Sequence, residues 1–160
     1  MTEEELKSTI ERGVEGASAA VQKKGRVVAE APRAGAISAL ILLKARGFEQ
    51  LCAICCTDWI EQGQFEIVYH LWSYSDGIHV MLKTRLDRDN PQMVTASDVF
   101  RHAQTYEREI HEMYGVHFEG NGRLTPFLLD HWRGPPPMRR DFDTRQYVQD
   151  IFGSAPSVEE

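Results

Sequence analysis

The sequence predicts a single α/β domain with tails. Two stretches repeat apolar residues at helical spacing, two others alternate them at the two-residue period of a strand, and Gly and Pro punctuate the joins. With 160 residues and a 42% hydrophobic content, the chain can bury one core without disulfide or metal staples.

Leu6, Ile10, Val14, Ala17 and Val21 fall at helical intervals and predict an amphipathic first helix that Gly25 ends. Arg26 to Ala31 is the first expected strand. Pro32 and Gly35 then precede a second helix from Ala36 to Arg46, closed by Gly47. Leu51 to Thr57 reads as an apolar second strand. Its Cys52, Cys55 and Cys56 act there as small hydrophobes with buried thiols, because a closed zinc or iron-sulfur site needs about four ligands and no second cysteine pair supplies them.

Phe65, Ile67, Tyr69 and Leu71 alternate with Glu66, Val68, His70 and Trp72 in a third strand. Ser75-Asp76-Gly77 turns the chain into a fourth, where Ile78, Val80, Leu82, Thr84 and Leu86 alternate again. Arg85 to Pro91 is a polar loop.

Val99, Ala103, Tyr106, Ile110 and Met113 mark the buried stripe of a third helix from Ser97 to Tyr114, with Thr95 and Asp98, or Ser97, as its cap and Gly115 as its stop. At 100° per residue, Glu107 and Tyr114 border the stripe on one side and His102 and Glu109 on the other. Arg108, His111 and Glu112 project away from the core. A charge run of this kind usually makes a solvated helix face, with Glu107 and His111, and Arg108 and Glu112, as weak pairs one turn apart. Border carboxylates need more than that, and arginines of the tail or of another subunit could partner them.

Beyond the helix, Val116 to Gly120 is a short expected strand and Asn121-Gly122 a loop. Pro126 to Trp132 is read as a brief helix, and Pro135-Pro136-Pro137 as an extended polyproline-like path. Arg133, Arg139, Arg140 and Arg145 interleave with Asp141, Asp143, Trp132, Phe142 and Tyr147, the side-chain mixture of interface anchors. The expected division is an α/β domain over residues 1–120 and a C-terminal docking arm over 121–160.

A net charge of -6 offers no basic field for a phosphate backbone, which argues against nucleic acid. The run Ala36 to Leu43 is far short of the roughly 20 apolar residues that cross a bilayer. Thr2-Glu3-Glu4-Glu5 is unlike the basic start of a secretory signal, so a cytoplasmic location is expected, with membrane association only through a partner. A rival reading is a free-standing metalloenzyme using His102, Glu109, His111 and His117. The spacing is not that of a His-Glu-x-x-His helix, and His117 lies past the helix stop.

Tyr106-Glu-Arg-Glu-Ile-His-Glu-Met-Tyr-Gly-Val-His-Phe-Glu-Gly120 and Gly134-Pro-Pro-Pro-Met-Arg-Arg-Asp-Phe142 resemble the signature of the 30-kDa subunit family of respiratory complex I. Counterparts in that family serve membrane-bound hydrogenases and archaeal deazaflavin-linked dehydrogenases. The likeness extends from about Leu40 to Tyr147, with Asp58 and Glu66-Ile-Val-Tyr-His-Leu71 also fitting. The chain departs from the family in carrying His111 where Asp is common, and Asn121-Gly122 followed by Leu124-Thr125-Pro126 where His-Pro and Leu-Arg-Arg are common.

The resemblance implies a two-layer α/β (α+β) domain with a mixed sheet, to which the residue patterns above give flanking helices in the order helix, strand, helix, three strands, helix, followed by an extended arm. It implies a non-catalytic scaffold in the peripheral arm of an ion-translocating oxidoreductase on the cytoplasmic face of the membrane. No cofactor would be bound directly. The partners would be the hydrogenase-like large subunit, whose cavity holds quinone or a nickel-iron centre, and the subunits that carry the iron-sulfur clusters. Interface residues would be Glu107, Arg108, Glu109, His111 and Glu112 on the helix, and Arg133, Met138, Arg139, Arg140, Asp141 and Phe142 on the arm.

Overall fold

The computed structural model describes residues 1–153. In chain order the elements are α1 (Glu3–Gly13), β1 (Ser18–Lys23), β2 (Arg26–Glu30), α2 (Ala36–Ala45), β3 (Gln50–Trp59), β4 (Gln64–Ser73), β5 (Ile78–Asp87), β6 (Gln92–Val94), α3 (Ala103–Tyr114), β7 (His117–Glu119) and α4 (Thr144–Phe152). Five strands form one mixed sheet in the order β1-β2-β5-β4-β3, in which only β2 and β5 run parallel. A second, two-stranded sheet pairs β6 with β7 in parallel.

The alternation in β4 and β5 does what the sequence demands of it. Phe65, Ile67, Tyr69 and Leu71 share one buried face with Val80, Leu82 and Leu86, and that face meets Leu6 and Ile10 of α1, Leu40 and Leu43 of α2, and Ala103 and Ile110 of α3. The helices therefore cover one side of the sheet. The opposite row, including His70, Trp72, His79 and Met81, is half-buried.

Four expectations are corrected. The first helix stops at Gly13, with the Val14 backbone already extended, and Gly16 at φ 73° turns the chain into β1. Positions four apart share a helix face, but they also have the same parity in a strand, so Ala17 and Val21 satisfied both readings. The third helix begins at Ala103 rather than Ser97, because Ala96 to Ala103 is taken up by turn bonds, from the Val99 and Phe100 N–H groups to Ala96 and from the Ala103 N–H to Phe100. No helix forms over Pro126 to Trp132.

The fourth correction concerns the arm, which is not extended throughout. It ends in α4, where the Asp143 carboxylate caps the Arg145 and Gln146 N–H groups and Gly153 closes the C-terminus. Residues 154–160 of the expected arm lie outside the described residues.

The cysteines are also placed differently. A register shift between Leu51 and Ala53 sets both Cys52 and Cys55 outward, and Cys56 is partly buried. Burial raises the pKa of all three thiols, with Glu109 adding to the effect at Cys55.

α2 is apolar on every side, yet only one side reaches the core: Leu40 is 0% exposed and Ile41 is 55% exposed. Replacing Leu40 with Ala is therefore expected to lower the unfolding free energy by about 2–5 kcal/mol in a urea titration. Ile41→Ala in the adjacent position should change it by about 0.5 kcal/mol or less.

Candidate functional site: the α3 surface and the C-terminal arm

The charged run of α3 divides its work between the domain's interior and the chain's own arm. Glu107 is 0% exposed, and its carboxylate accepts from the Thr95 hydroxyl at 2.6 Å, the Ala96 N–H at 2.6 Å and the Asn121 side-chain amide at 2.9 Å. Burial raises its pKa against the pull of those three donors. The partner that a border carboxylate requires is thus a set of neutral donors from this chain, and no arginine supplies it. Glu107, expected at an interface, lies inside the domain.

Arg108 and Glu112 do not pair with each other. The Arg108 guanidinium donates to the carbonyls of Thr125 (2.7 Å) and Pro126 and sits over the Phe127 ring, 4.9 Å from its centroid. Glu112 accepts the N–H groups of Phe127 at 2.8 Å, Leu128 at 2.7 Å and Leu129 at 3.3 Å. Desolvation alone would raise the Glu112 carboxyl, but the three backbone donors outweigh it and hold the pKa below the usual range. One turn of helix therefore grips both the carbonyls and the amides of the segment that follows Asn121.

The remaining α3 positions have distinct fates. His111 uses Nδ1 to reach the Val116 carbonyl at 2.8 Å, and Glu109 is exposed. His102 bonds the Leu51 carbonyl through Nε2 at 2.9 Å, and the Tyr106 hydroxyl donates to the Cys52 carbonyl, which fastens α3 to β3. His102 and His111 each bond a backbone carbonyl through one ring nitrogen, and among the described residues they do not converge with Glu109 and His117 into a ligand set. Among the described residues no group of three or more His, Cys, Asp or Glu side chains is placed to hold a metal ion.

The arm is locked by a residue the sequence reading missed. Arg88, 8% exposed, meets Asp58, 5% exposed, through Nε at 2.8 Å and Nη2 at 3.0 Å. The same guanidinium reaches Asp141 of the arm through Nη2 at 2.7 Å and Nη1 at 3.2 Å. Asp58 also accepts the Arg140 N–H at 2.9 Å. Arg139 lies 5.2 Å from the centroid of the Phe65 ring and donates to the Arg88 carbonyl at 3.2 Å, so its charge is turned toward the domain. The Met138 N–H bonds the Met113 carbonyl, while the Met138, Arg140 and Arg133 side chains are exposed.

A further clue to the lock was present in the sequence. Asp58 stands four residues after Ile54 in a strand, on the face that points to the core, and an acid there needs a partner, either a cation or hydrogen-bond donors. Arg88 sits in a stretch read only as a polar loop, and nothing local distinguishes it from its exposed neighbours. Asn121, read as part of a loop, proves to be a Glu107 partner.

Phe142, Trp132 and Tyr147 complete the arm as an aromatic cluster, with ring centroids 5.8 Å apart for Trp132 and Phe142 and 4.7 Å apart for Trp132 and Tyr147. A Cβ at Gly134 would stand 2.6 Å from Tyr147 and 2.8 Å from Trp132, so this position admits no side chain without moving a ring.

Residues 29–148 match the family described as respiratory-chain NADH dehydrogenase, 30 Kd subunit. The chain belongs to that family. A similar relative is a subunit of the F(420)H(2) dehydrogenase of Methanosarcina mazei, 37% identical over 60% of this chain and 61% of that protein. Another is a subunit of the NADH-quinone oxidoreductase of Phenylobacterium zucineum, 36% identical over 71% of this chain and 54% of that one. The chain thus spans less than two thirds of the length of these curated relatives.

Among solved structures, a chain of the membrane-bound sulfane sulfur reductase, an archaeal respiratory membrane complex, superposes with a TM-score of 0.86 at 34% identity. That alignment covers 98% of this chain and 95% of the other. The trypsin-resistant fragment of Nqo5 shares the fold, with a TM-score of 0.63 at 24% identity over 78% of this chain and 98% of the fragment. The mixed sheet with flanking helices is the architecture expected of this 30 kDa subunit family.

Two predictions test the clamps. Arg88→Ala strands two carboxylates, one of them buried, and is expected to cost about 3–5 kcal/mol in urea unfolding. Arg88 holds the pKa of Asp58 and of Asp141 below the usual carboxylate range. This contribution is fully present above the unfolded pKa of about 3.9 and is lost as pH falls through the depressed folded values. Arg88→Ala should therefore flatten the acid limb of the wild-type stability curve. In the second test, Glu112→Gln is expected to speed amide exchange at Phe127 and Leu128 by about tenfold or more, as befits the loss of charge-assisted hydrogen bonds. Unchanged exchange at those two amides would show that Glu112 does not hold the arm.

Proposed function

We propose that this chain is a scaffold subunit of a multi-subunit respiratory oxidoreductase of the complex I type and that it docks through its arm on the hydrogenase-like large subunit. The observation that carries the reading is the likeness, along nearly its whole length, to a chain of an archaeal respiratory membrane complex. Names of the curated relatives, an F(420)H(2) dehydrogenase and an NADH-quinone oxidoreductase, support the same class. No helix of the described residues is long and apolar enough to cross a membrane, so in this reading the chain meets the membrane through its partners.

The clamps give the scaffold role a physical form. Arg108, Glu112 and Arg88 spend their hydrogen bonds on the chain's own arm, which leaves Phe127, Leu128, Met138 and Arg140 facing outward. A segment fixed in this way loses little conformational freedom when a partner covers it. Electron transfer, in this reading, runs through iron-sulfur clusters of sister subunits, with quinone or a nickel-iron centre in the large subunit, and is coupled to ion translocation across the membrane, on whose cytoplasmic face this subunit sits.

An affinity-tagged chain solubilised from native membranes is expected to co-elute with a hydrogenase-like large subunit and iron-sulfur subunits. The pair Met138→Asp and Arg140→Glu changes only exposed side chains, and about a tenfold lower recovery of those subunits is expected with an unchanged circular dichroism spectrum, since one or two interface anchors carry that much. Full recovery with the double variant would contradict docking through the arm.

A further inference from the structure

The arm forms an open cavity next to the Arg88 lock, whose Asp141 and Arg139 belong to its lining. It has a volume of about 490 Å³ and opens to solvent, with Pro135, Pro136, Phe142 and Tyr147 as apolar walls and Asp143 and Asp150 among its polar residues. The two rings are fixed in place. Tyr147 and Phe142 stand 5.6 Å apart by their centroids, both pack on Trp132, and the Gly134 backbone closes against Tyr147 and Trp132 with no room for a Cβ.

The charges around this cavity do not balance. Asp141 is taken by Arg88, and Arg139, the one cation of the lining, lies over Phe65 with a donor on the Arg88 carbonyl. Asp143 accepts only the backbone N–H groups of Arg145 and Gln146, and Asp150 only the Gln146 side-chain amide, so neutral donors alone meet these two carboxylates among the described residues. Aromatic walls beside two carboxylates without cations form a receptor for a cation with a flat face. A guanidinium satisfies both, since it stacks on rings and donates in a fork to carboxylates, whereas an ammonium is a compact and strongly hydrated point charge.

We propose that this cavity receives an arginine side chain from a partner polypeptide, with its guanidinium against Tyr147 and Phe142 and its N–H groups toward Asp143 and Asp150. The identification of the occupant as another polypeptide rests on the scaffold reading above.

Binding is tested first on the full chain labelled with ¹⁵N and titrated with Nα-acetyl-arginine methylamide, and with its lysine and citrulline counterparts. Expected are shifts confined to the segment from Arg139 to Asp150, strongest for arginine and absent for citrulline. Asp150→Asn keeps an acceptor for Gln146 and should weaken arginine about two- to fivefold, the range an exposed ion pair supplies. Citrulline or lysine binding as well as arginine, shifts scattered outside that segment, or no effect of Asp150→Asn would overturn the assignment.

In the tagged complex, Asp150→Arg is expected to lower recovery of the sister subunits, and full recovery overturns the proposal. If recovery is lost with the Met138 and Arg140 double variant but kept with Asp150→Arg, the scaffold reading stands and the cavity assignment falls. Loss with Asp150→Arg alone supports the cavity and counts against docking through the Met138 side of the arm.

Discussion

A guanidinium withdrawn from water needs acceptors for its five N–H donors, and the way Arg88 finds them determines where the C-terminal arm can lie. Four contacts reach carboxylate oxygens, two on Asp58 at the end of β3 and two on Asp141 of the arm. A buried ion pair adds little net stability over an apolar filling of the same volume, so the value of this one is positional. Asp58 belongs to the sheet, Arg88 to the loop after β5 and Asp141 to the arm, so these bonds fix the arm against the end of the sheet. Phe65 forms the floor of the lock, with Arg88 and Arg139 over its ring and Tyr114 at its edge.

α3 supplies the second attachment. A helix one face of which is committed to the core offers its borders and its outer face for other uses, and here the two are used differently. Glu107 turns inward, where three donors from two loops converge, so its burial dictates the path of Thr95-Ala96 and of Asn121. The backbone from Ala96 to Ala103 is taken up by turn bonds, and α3 starts at Ala103. One turn along, Arg108 and Glu112 project outward and meet the carbonyls and amides of residues 125–129, a segment too short to satisfy its own backbone. The Glu112 carboxylate here replaces the hydrogen bonds that a strand or a helix would have provided.

The β4–β5 hairpin was legible in the sequence because its pattern admits one period only, with Phe65, Ile67, Tyr69 and Leu71 at every second position, and α2, which has no period, was legible from its bounds at Gly35 and Gly47. β1 was not legible, since Ala17 and Val21 fit a helix and a strand equally well and the decision falls to Gly13 and Gly16. β6 owes its existence to β7, more than twenty residues away, and a three-residue parallel pairing leaves no local trace. The site divides along the same line. The motif of α3 and the arginines of the arm stood out by composition, but the direction of each charge depends on contacts such as Arg88 to Asp141, between residues far apart in sequence. A run of charges reads as a surface for a partner, when in fact the first partner of Arg108 and Glu112 is the chain itself.

That reassignment changes what remains for recognition. Charges already bonded to backbone groups contribute little new attraction to a second protein, because each such bond would have to break before another formed. Under the docking proposal, recognition would rest on side chains left exposed along the arm, among them Phe127, Leu128, Met138, Arg133 and Arg140. Apolar and arginine side chains on a fixed backbone are well suited to this, since the ordering entropy of the segment is met on folding and association has only side-chain freedom left to remove. The same logic explains why Pro135-Pro136-Pro137 suits this segment: three residues without backbone donors need no partner for those nitrogens, so the chain can cross the surface there without a strand beside it.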